Sequence, residues 1–557
     1  MRTRLARQLI GLAAAAATLV PLAPTLAATR RPASSAPVHG GTLTLAFQFP
    51  PSSIDVAKSA DGGSLPFTTP IYDTLLQNSD KPNWPLAPDL ATGYKILQGG
   101  REYVFYLRHG VRFSNGDPLT AQDVAFTFMR LNQNATSAPY QGSYADLVGS
   151  AAVASGKTDT LSGIQTVGQY EVIMHLSQPE RYWLDLVAVP WSGIVDAKVA
   201  ANWNAEEKAG KPIDPIGTGP FVLQPVTPTS TQYVYTPNPY YWQKGKPYLS
   251  KVVMKIGPSQ SLQLQMYQRG QVSALTDTLL SSSQYLLIRK SPTLMKEYYR
   301  VPYPGTAYLA INFNVKPWNN LYVREAAEYA LDKPFLNAVL NNGRAPIANS
   351  VLAPGIPGYQ PNYDPFPANY ATPAGAAAAR AKAKALLAKA GYPSGLNAGT
   401  FYLPEFGPYA QLAALVKTEL AQVGIQVTPK LLTYTAFAQL VQNKSTVGLY
   451  WADWGMDYPD PQDFLYNLFA TSQGGNNNQQ WYSNAKVDAL LATADASVNQ
   501  PLRLQQYDQV QRIVMSQAAV IPLYYSWLDG LVGPNVYPKN PWVWTTMVRL
   551  QDVWIKP

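Results

Sequence analysis

The sequence opens on MRTRLARQLIGLAAAAATLVPLAPTLAATRR and contains no cysteine, and these two features together constrain the fold most. A basic head, an apolar run from about Leu9 to Val20 and small residues ending in Thr25-Leu26-Ala27 have the anatomy of a secretory signal peptide, with cleavage expected near Ala27 or Ala28. The run is too short and Ala-rich for a membrane span, and no later stretch offers ~18 uninterrupted apolar residues. Exported chains commonly staple themselves with disulfides, which this one cannot do. Its stability must come from large cores, and 557 residues predict two or three domains. With no cysteine after the signal to carry a lipid, a freely diffusing exported, periplasmic protein is expected.

The residues available also limit the chemistry. Three histidines, His39, His109 and His175, lack zinc-site spacing, so thiol, Ser-His-Asp and zinc hydrolase mechanisms are disfavoured. Loss of Arg2, Arg4 and Arg7 with the signal takes the formal charge from +9 to +6, too dilute for a nucleic-acid footprint. Charged residues are only 14% of the chain while Tyr (36) and Pro (48) are abundant, so the surface is largely neutral. A chain so poor in carboxylates loses little stability on acidification, which points to an acidic exterior.

Strand and helix signals alternate throughout, giving a mixed α/β class. In GTLTLAFQF, Leu43, Leu45 and Phe47 share one face of a strand. A second strand, EYVFYLR, leads through the turn dipeptide Asn115-Gly116 to a helix started by Thr120 and Asp123 in capping-box spacing. A helix pair is expected from Tyr322 to Asn342, with Asp332 capping the second helix and Gly343 ending it, and an Ala-rich helix from Ala374 to Ala390.

One segment concentrates the acids: WADWGMDYPDPQDF, with Asp453, Asp457, Asp460 and Asp463 among Trp451, Trp454 and Tyr458. Pro459 and Pro461 forbid a helix through it, and it lacks the ligand spacing of a calcium loop. Asp460 and Asp463 read as turn and cap, with Asp463 the N-cap of FLYNLF. Asp457 differs, because the strand-like VGLYWADW delivers it among aromatic rings and no arginine lies between Arg380 and Arg503. Either Lys430 or Lys444 folds back to it, or a cation arrives with a ligand. Two carboxylates flanked by rings would also suit a secreted glycoside hydrolase, the rival reading.

Eight stretches follow one another: IYDTLLQ (71–77), PLAPDLATGYKI (85–96), YVFYLRHGVRFSNGDPLTAQDVAFTFMR (103–130), PIGTGPFVL (215–223), AINFNVKPWNNLYVREAAEYALDK (310–333), AKALLAKAGYPSG (383–395), DYPDPQDFL (457–465) and YSNAKVDALL (482–491). In that order they resemble the extracytoplasmic solute-binding proteins of peptide and nickel ABC transporters, the dipeptide and oligopeptide group, family 5. The resemblance implies a two-lobed periplasmic binding protein fold of the large class II, cluster C type, with three domains and the ligand in the interlobe cleft. It places a first-lobe domain at 38–75, 185–299 and 527–557, an inserted domain at 76–184 and the second lobe at 300–526. It implies that Asp457 takes a peptide ammonium, and that Asp453, Trp454 and Gly455, with the loop at Gly62-Gly63, hydrogen-bond the ligand backbone. Trp454 matches a ring beside the ligand, and Trp451 and Tyr458 complete the candidate set. Oligopeptide binders place arginines shortly before this Asp for the ligand carboxylate, whereas QNKSTVGLYWAD offers only Lys444. The implied function is a non-enzymatic, monomeric binding component that hands a peptide or other amine-bearing solute to an inner-membrane permease, with no cofactor, metal or nucleic acid. Oligosaccharide or metal-chelate binding within the same fold are the alternatives.

Overall fold

Six strands, taken from places far apart in the sequence, form the sheet that carries the acidic segment. Their order is Ala274–Leu275, Val520–Val532, Tyr298–Ile311, Leu449–Gly455, Leu396–Pro404 and Ile425–Leu432. The chain is described by a computed structural model at residues 36–79, 81, 83–227, 229–276, 280–539 and 549–557, so the expected signal peptide lies outside the described residues. Residues 38–557 form one compact unit.

Two four-stranded sheets accompany the large one. The first joins Thr42–Phe47, Lys251–Ile256, Gln232–Pro237 and Phe221–Leu223. Leu43, Leu45 and Phe47 are buried there, on the face their alternation predicts. The second is antiparallel: Ala91–Leu97, Glu102–Leu107, Glu171–His175 and Ile164–Val167.

The helix signals are realised closely. Thr120 and Asp123 form a reciprocal capping box at the start of Ala121–Asn132, and Asp332 accepts from the Phe335 N–H at 2.9 Å at the start of Lys333–Asn341. That helix ends at Asn342, itself left-handed at φ 52°, one residue before the expected Gly343. The Ala-rich helix runs Pro373–Lys389. In the acidic segment the expected cap shifts: Asp460, not Asp463, caps the helix Pro461–Phe469, because Pro461 occupies its first turn, where no N–H is needed. The three histidines stay apart from the acids of that segment: His39 tilts against Tyr248 at 5.3 Å, His109 stacks on Tyr170 at 4.1 Å and His175 faces Glu102 at 3.4 Å.

Both faces of the six-stranded sheet are covered. Leu449 and Trp451 point into a core with Leu309, Ile311, Phe401 and Ile521, whereas Tyr450, Ala452 and Trp454 point into another with Tyr308, Phe464 and Met456. The alternation puts Asp453 on the Trp451 face and Trp454 on the opposite one. The acids and rings of WADWGMD therefore separate to two sides before the chain turns at Asp457.

Candidate ligand cavity

The strand Leu449–Gly455 is flanked unequally. Tyr298–Ile311 pairs with its whole length, Asp453 opposite Ala307 and Gly455 opposite Gly305, while Leu396–Pro404 pairs only with Leu449 and Tyr450. Past Tyr450 the second side of the strand has no strand partner among the described residues. Gly455 is required by close approach, since a Cβ there would lie 2.6 Å from the Tyr303 hydroxyl oxygen.

Beyond the strand the backbone is tied at each step. The Met456 N–H donates to the Pro304 carbonyl at 2.8 Å, and the Asp457 N–H to Asp463 Oδ2 at 2.9 Å. Asp463 is fully buried, and burial, followed by the neighbouring Asp457 charge, pushes its carboxyl well up. Asp460 accepts from the Gln462 N–H at 2.8 Å and from both terminal nitrogens of the fully buried Arg503, the Nη2 contact at 2.6 Å. The turn that presents Asp457 is thus clamped from below by one acid and from behind by an ion pair.

Asp457 itself accepts from the Tyr140 hydroxyl at 2.9 Å, and among the described residues no Lys or Arg pairs with it. Lys444 instead sits over the Trp481 ring at 5.2 Å, and Lys430 stands in the strand Ile425–Leu432. Burial raises the Asp457 carboxyl to about 6 against the opposing Tyr140 hydrogen bond. The Tyr140 ring stacks on Trp191 at 4.6 Å, and Tyr182 lies parallel to Tyr458 at 6.1 Å. Between these walls is a cavity of about 690 Å³ lined by Tyr140, Tyr182, Trp454, Asp457 and Tyr458, with Asp146, Glu180 and Asp495 further along.

The other candidates fall elsewhere. Trp451 is 7% exposed, packed on Tyr409 at 4.2 Å in the core of the far sheet face. Asp453 is exposed on the Trp451 side of the strand and does not line the cavity. Gly62 and Gly63 lie on an exposed turn held by Asp61, which accepts from the Ser52 and Ser64 hydroxyls at 2.6 and 2.8 Å. Neither glycine is among the cavity-lining residues. Conversely, Tyr140, Tyr182, Glu180 and Arg503 escape sequence reasoning, because Tyr140 and Asp457 meet across 317 residues and no local spacing announces the contact. Among the described residues no three acids or histidines converge as a metal site.

The raised carboxyls have a measurable consequence. Burial lifts Asp73 and Asp457 to about 6, Asp185 and Asp495 to about 7 and Glu180 to about 9. Each binds its proton more tightly folded than unfolded, so their stabilising contribution is complete below the unfolded value near 4 and is lost as pH rises through the folded one. The ligand-free protein is expected to melt at a higher temperature at pH 5 than at pH 8 in a fluorimetric pH series; a lower midpoint at pH 5 contradicts this.

The sequence and the fold have counterparts in known proteins. The family model described as bacterial extracellular solute-binding proteins, family 5 (middle), matches residues 85–476. Heme-binding protein A of Haemophilus influenzae is 28% identical over 493 residues, covering 85% of each chain. The dipeptide-binding protein of Escherichia coli is 27% identical over 507 residues, covering 86% of this chain and 87% of its own. Among solved structures, a periplasmic murein tripeptide binding protein in its unliganded open form superposes with a TM-score of 0.78 at 23% identity, covering 94% of this chain and 99% of that one. The clavulanic acid biosynthesis oligopeptide binding protein 2 gives 0.79 at 23%, covering 93% and 96%. These structural matches carry the fold, which is the two-lobed mixed α/β fold of periplasmic binding proteins. The family model spans more than half of the sequence, including the strand, the Asp457 turn and the Tyr140 wall, and the chain belongs to the bacterial extracellular solute-binding proteins, family 5.

Proposed function

We propose that this protein is the exported, non-enzymatic binding component of an ABC importer, and that it takes a peptide or other amine-bearing solute and hands it to the membrane permease. The observation that carries the reading is Asp457, a carboxylate in an aromatic-walled cavity whose one protein partner among the described residues is a neutral tyrosine hydroxyl. A carboxylate withdrawn from water and left without a cation is costly, and an incoming ammonium supplies what is missing. Trp454 and Tyr458 present ring surface to such a cation. The unpaired side of Trp451–Gly455 offers backbone groups to an extended peptide, as strand addition requires. The names of the relatives are those of binding proteins, and the dipeptide-binding protein is the precedent for this ligand class. A sugar platform is less well served, since Trp451, one of its two expected rings, is packed in a core.

Delivery fits a chain with the domains expected from sequence: a first lobe from 38–75, 185–299 and 527–557, an insertion at 76–184, and a second lobe at 300–526. The neighbouring strands Tyr298–Ile311 and Val520–Val532 cross those boundaries side by side, and their register breaks between Pro302 and Thr306. Such a crossing lets one lobe rotate on the other, so that solute shifts the population toward a closed form that docks as a monomer on the permease. Among the described residues no helix is long and apolar enough to cross a membrane.

The test is the pH dependence of affinity. Asp457 must be ionised to meet an ammonium and its carboxyl stands at about 6, so the association constant for trialanine amide is expected to rise about tenfold per pH unit below 6, to peak near 7 and to fall again as the ligand's own amine, which titrates at about 8, loses its proton. Calorimetry from pH 4.5 to 8 reads this directly. An affinity that does not change over that range contradicts the assignment.

A further inference from the structure

The free edge of Leu449–Gly455 carries a carboxylate that the cavity at Asp457 does not use. Directly opposite residues of adjacent strands share a face, and the row Tyr524, Ala307, Asp453 crosses three strands of the large sheet on the face that also bears Trp451. Ala307 contributes only a methyl group, so the row sinks between the Tyr524 ring and the Asp453 carboxyl. Tyr409, the first residue of the helix Tyr409–Val423, packs on Trp451 at 4.2 Å. The exposed Phe406 and Tyr434 carry the rings outward, with Phe406 at 5.3 Å from Tyr409 and 6.0 Å from Tyr434. Asp453 lies near enough to Tyr409 and Tyr524 for its charge to raise both hydroxyls, after burial, which is the larger cause.

Two groups of this recess lack partners. No Lys or Arg pairs with Asp453 and no other side chain donates to it, among the described residues. Trp451 is 7% exposed, and its indole Nε1 has no acceptor. A buried N–H is costly to leave unmade, and an extended peptide beside the strand edge brings a carbonyl with every residue. Exposed rings contiguous with a carboxylate, on a face where no protein cation answers it, suit an ammonium or guanidinium that meets both charge and ring surface. Neither Asp453 nor Trp451 lines the Asp457 cavity, so this recess lies on the other side of the same strand.

We infer that Asp453 is a specificity-determining residue, which with the rings of Tyr409 and Tyr524 takes a lysine or arginine side chain of the solute, so that the peptide selected is basic at the position sharing the Asp453 face. This rests on the reading of Asp457 and the free strand edge as the peptide site. In an extended peptide whose ammonium is at Asp457, successive side chains point to opposite faces. The second and third residues therefore cannot both reach Asp453, and preference for a basic residue is confined to one of them.

The experiment titrates four tripeptide amides by calorimetry at pH 7: trialanine amide with lysine or norleucine at the second position, and the same pair at the third. Lysine is expected to bind at least about fivefold more tightly than norleucine at one of the two positions and about equally at the other. In Asp453→Asn the ratio at the selective position narrows toward one; Asp453→Ser reads the same if the amide variant melts early. A gain of equal size at both positions that survives in the variants is general attraction of a cation, and it overturns the assignment. Lysine no better than norleucine at either position overturns the Asp453 subsite and leaves the Asp457 reading standing; no binding by any of the four overturns both.

Discussion

Asp457→Asn is expected to lower the affinity for an amine-bearing peptide by at least about 100-fold while leaving the melting midpoint of the ligand-free protein unchanged or slightly higher. Truncating one member of a desolvated charge pair typically costs about 2–5 kcal/mol, much of it the penalty of burying the remaining charge alone. Here the remaining charge is the ligand ammonium, which in the variant meets only an amide oxygen and the rings of Trp454 and Tyr458. Folding should not suffer, because the amide still accepts from the Tyr140 hydroxyl and the anchoring hydrogen bond from residue 457 to Asp463 is made by the backbone. Removing a carboxyl that burial already disfavours in its charged form can only relieve the ligand-free state at neutral pH.

The largest loss of stability is expected from Arg503→Met. Arg503 is fully buried in the helix Gln500–Ser516; it holds Asp460 with two nitrogens and lies over the Tyr507 ring at 5.0 Å. Its removal leaves Asp460, 3% exposed, as an uncompensated buried carboxylate, a change that costs about 3–5 kcal/mol. Asp460 also caps the helix Pro461–Phe469, so the turn presenting Asp457 loosens at the same time. Urea unfolding should show the destabilisation, and Arg503→Met combined with Asp460→Asn should recover part of it by removing the stranded charge. A single variant as stable as the parent would show that the pair carries no such weight.

These two residues also mark how far the sequence could be read. The strand ending at Gly455 follows from the apolar run VGLYWADW, and the break after it follows from Pro459 and Pro461, because both signals are local. Asp457 stood out for the same reason: a carboxylate among rings, with no arginine near it in sequence. The helix cap is Asp460 and not Asp463, three residues later, since both precede a helix-like run and only the first-turn preference of proline separates them. With the cap supplied by Asp460, Asp463 takes another task, receiving the Asp457 N–H. Trp451 and Trp454 look equivalent in sequence, yet the pleat sends one to a core and the other to the cavity. Which face was which depended on the strands Tyr298–Ile311 and Leu396–Pro404, whose pairing is not written in the segment. The opposite wall was invisible, because Tyr140, Tyr182 and Glu180 belong to stretches without motif and reach the site only through long-range packing.

Low carboxylate content remains informative in this light. Several of the few acids present are buried with raised values, so protonation at mildly acid pH stabilises the fold at those positions and weakens the hold of Asp457 on an ammonium. Stability and affinity should therefore move in opposite directions as pH falls from 7 to 5.

The most direct measurement is a calorimetric cycle with trialanine amide and its N-acetylated twin, each titrated into the parent protein and into Asp457→Asn. If Asp457 exists to meet an ammonium, acetylation costs the parent at least about 100-fold in affinity and costs the variant little, giving a coupling of more than about 2 kcal/mol. Equal losses from acetylation in both proteins, or no loss in either, would contradict the assignment of Asp457 as the anchor.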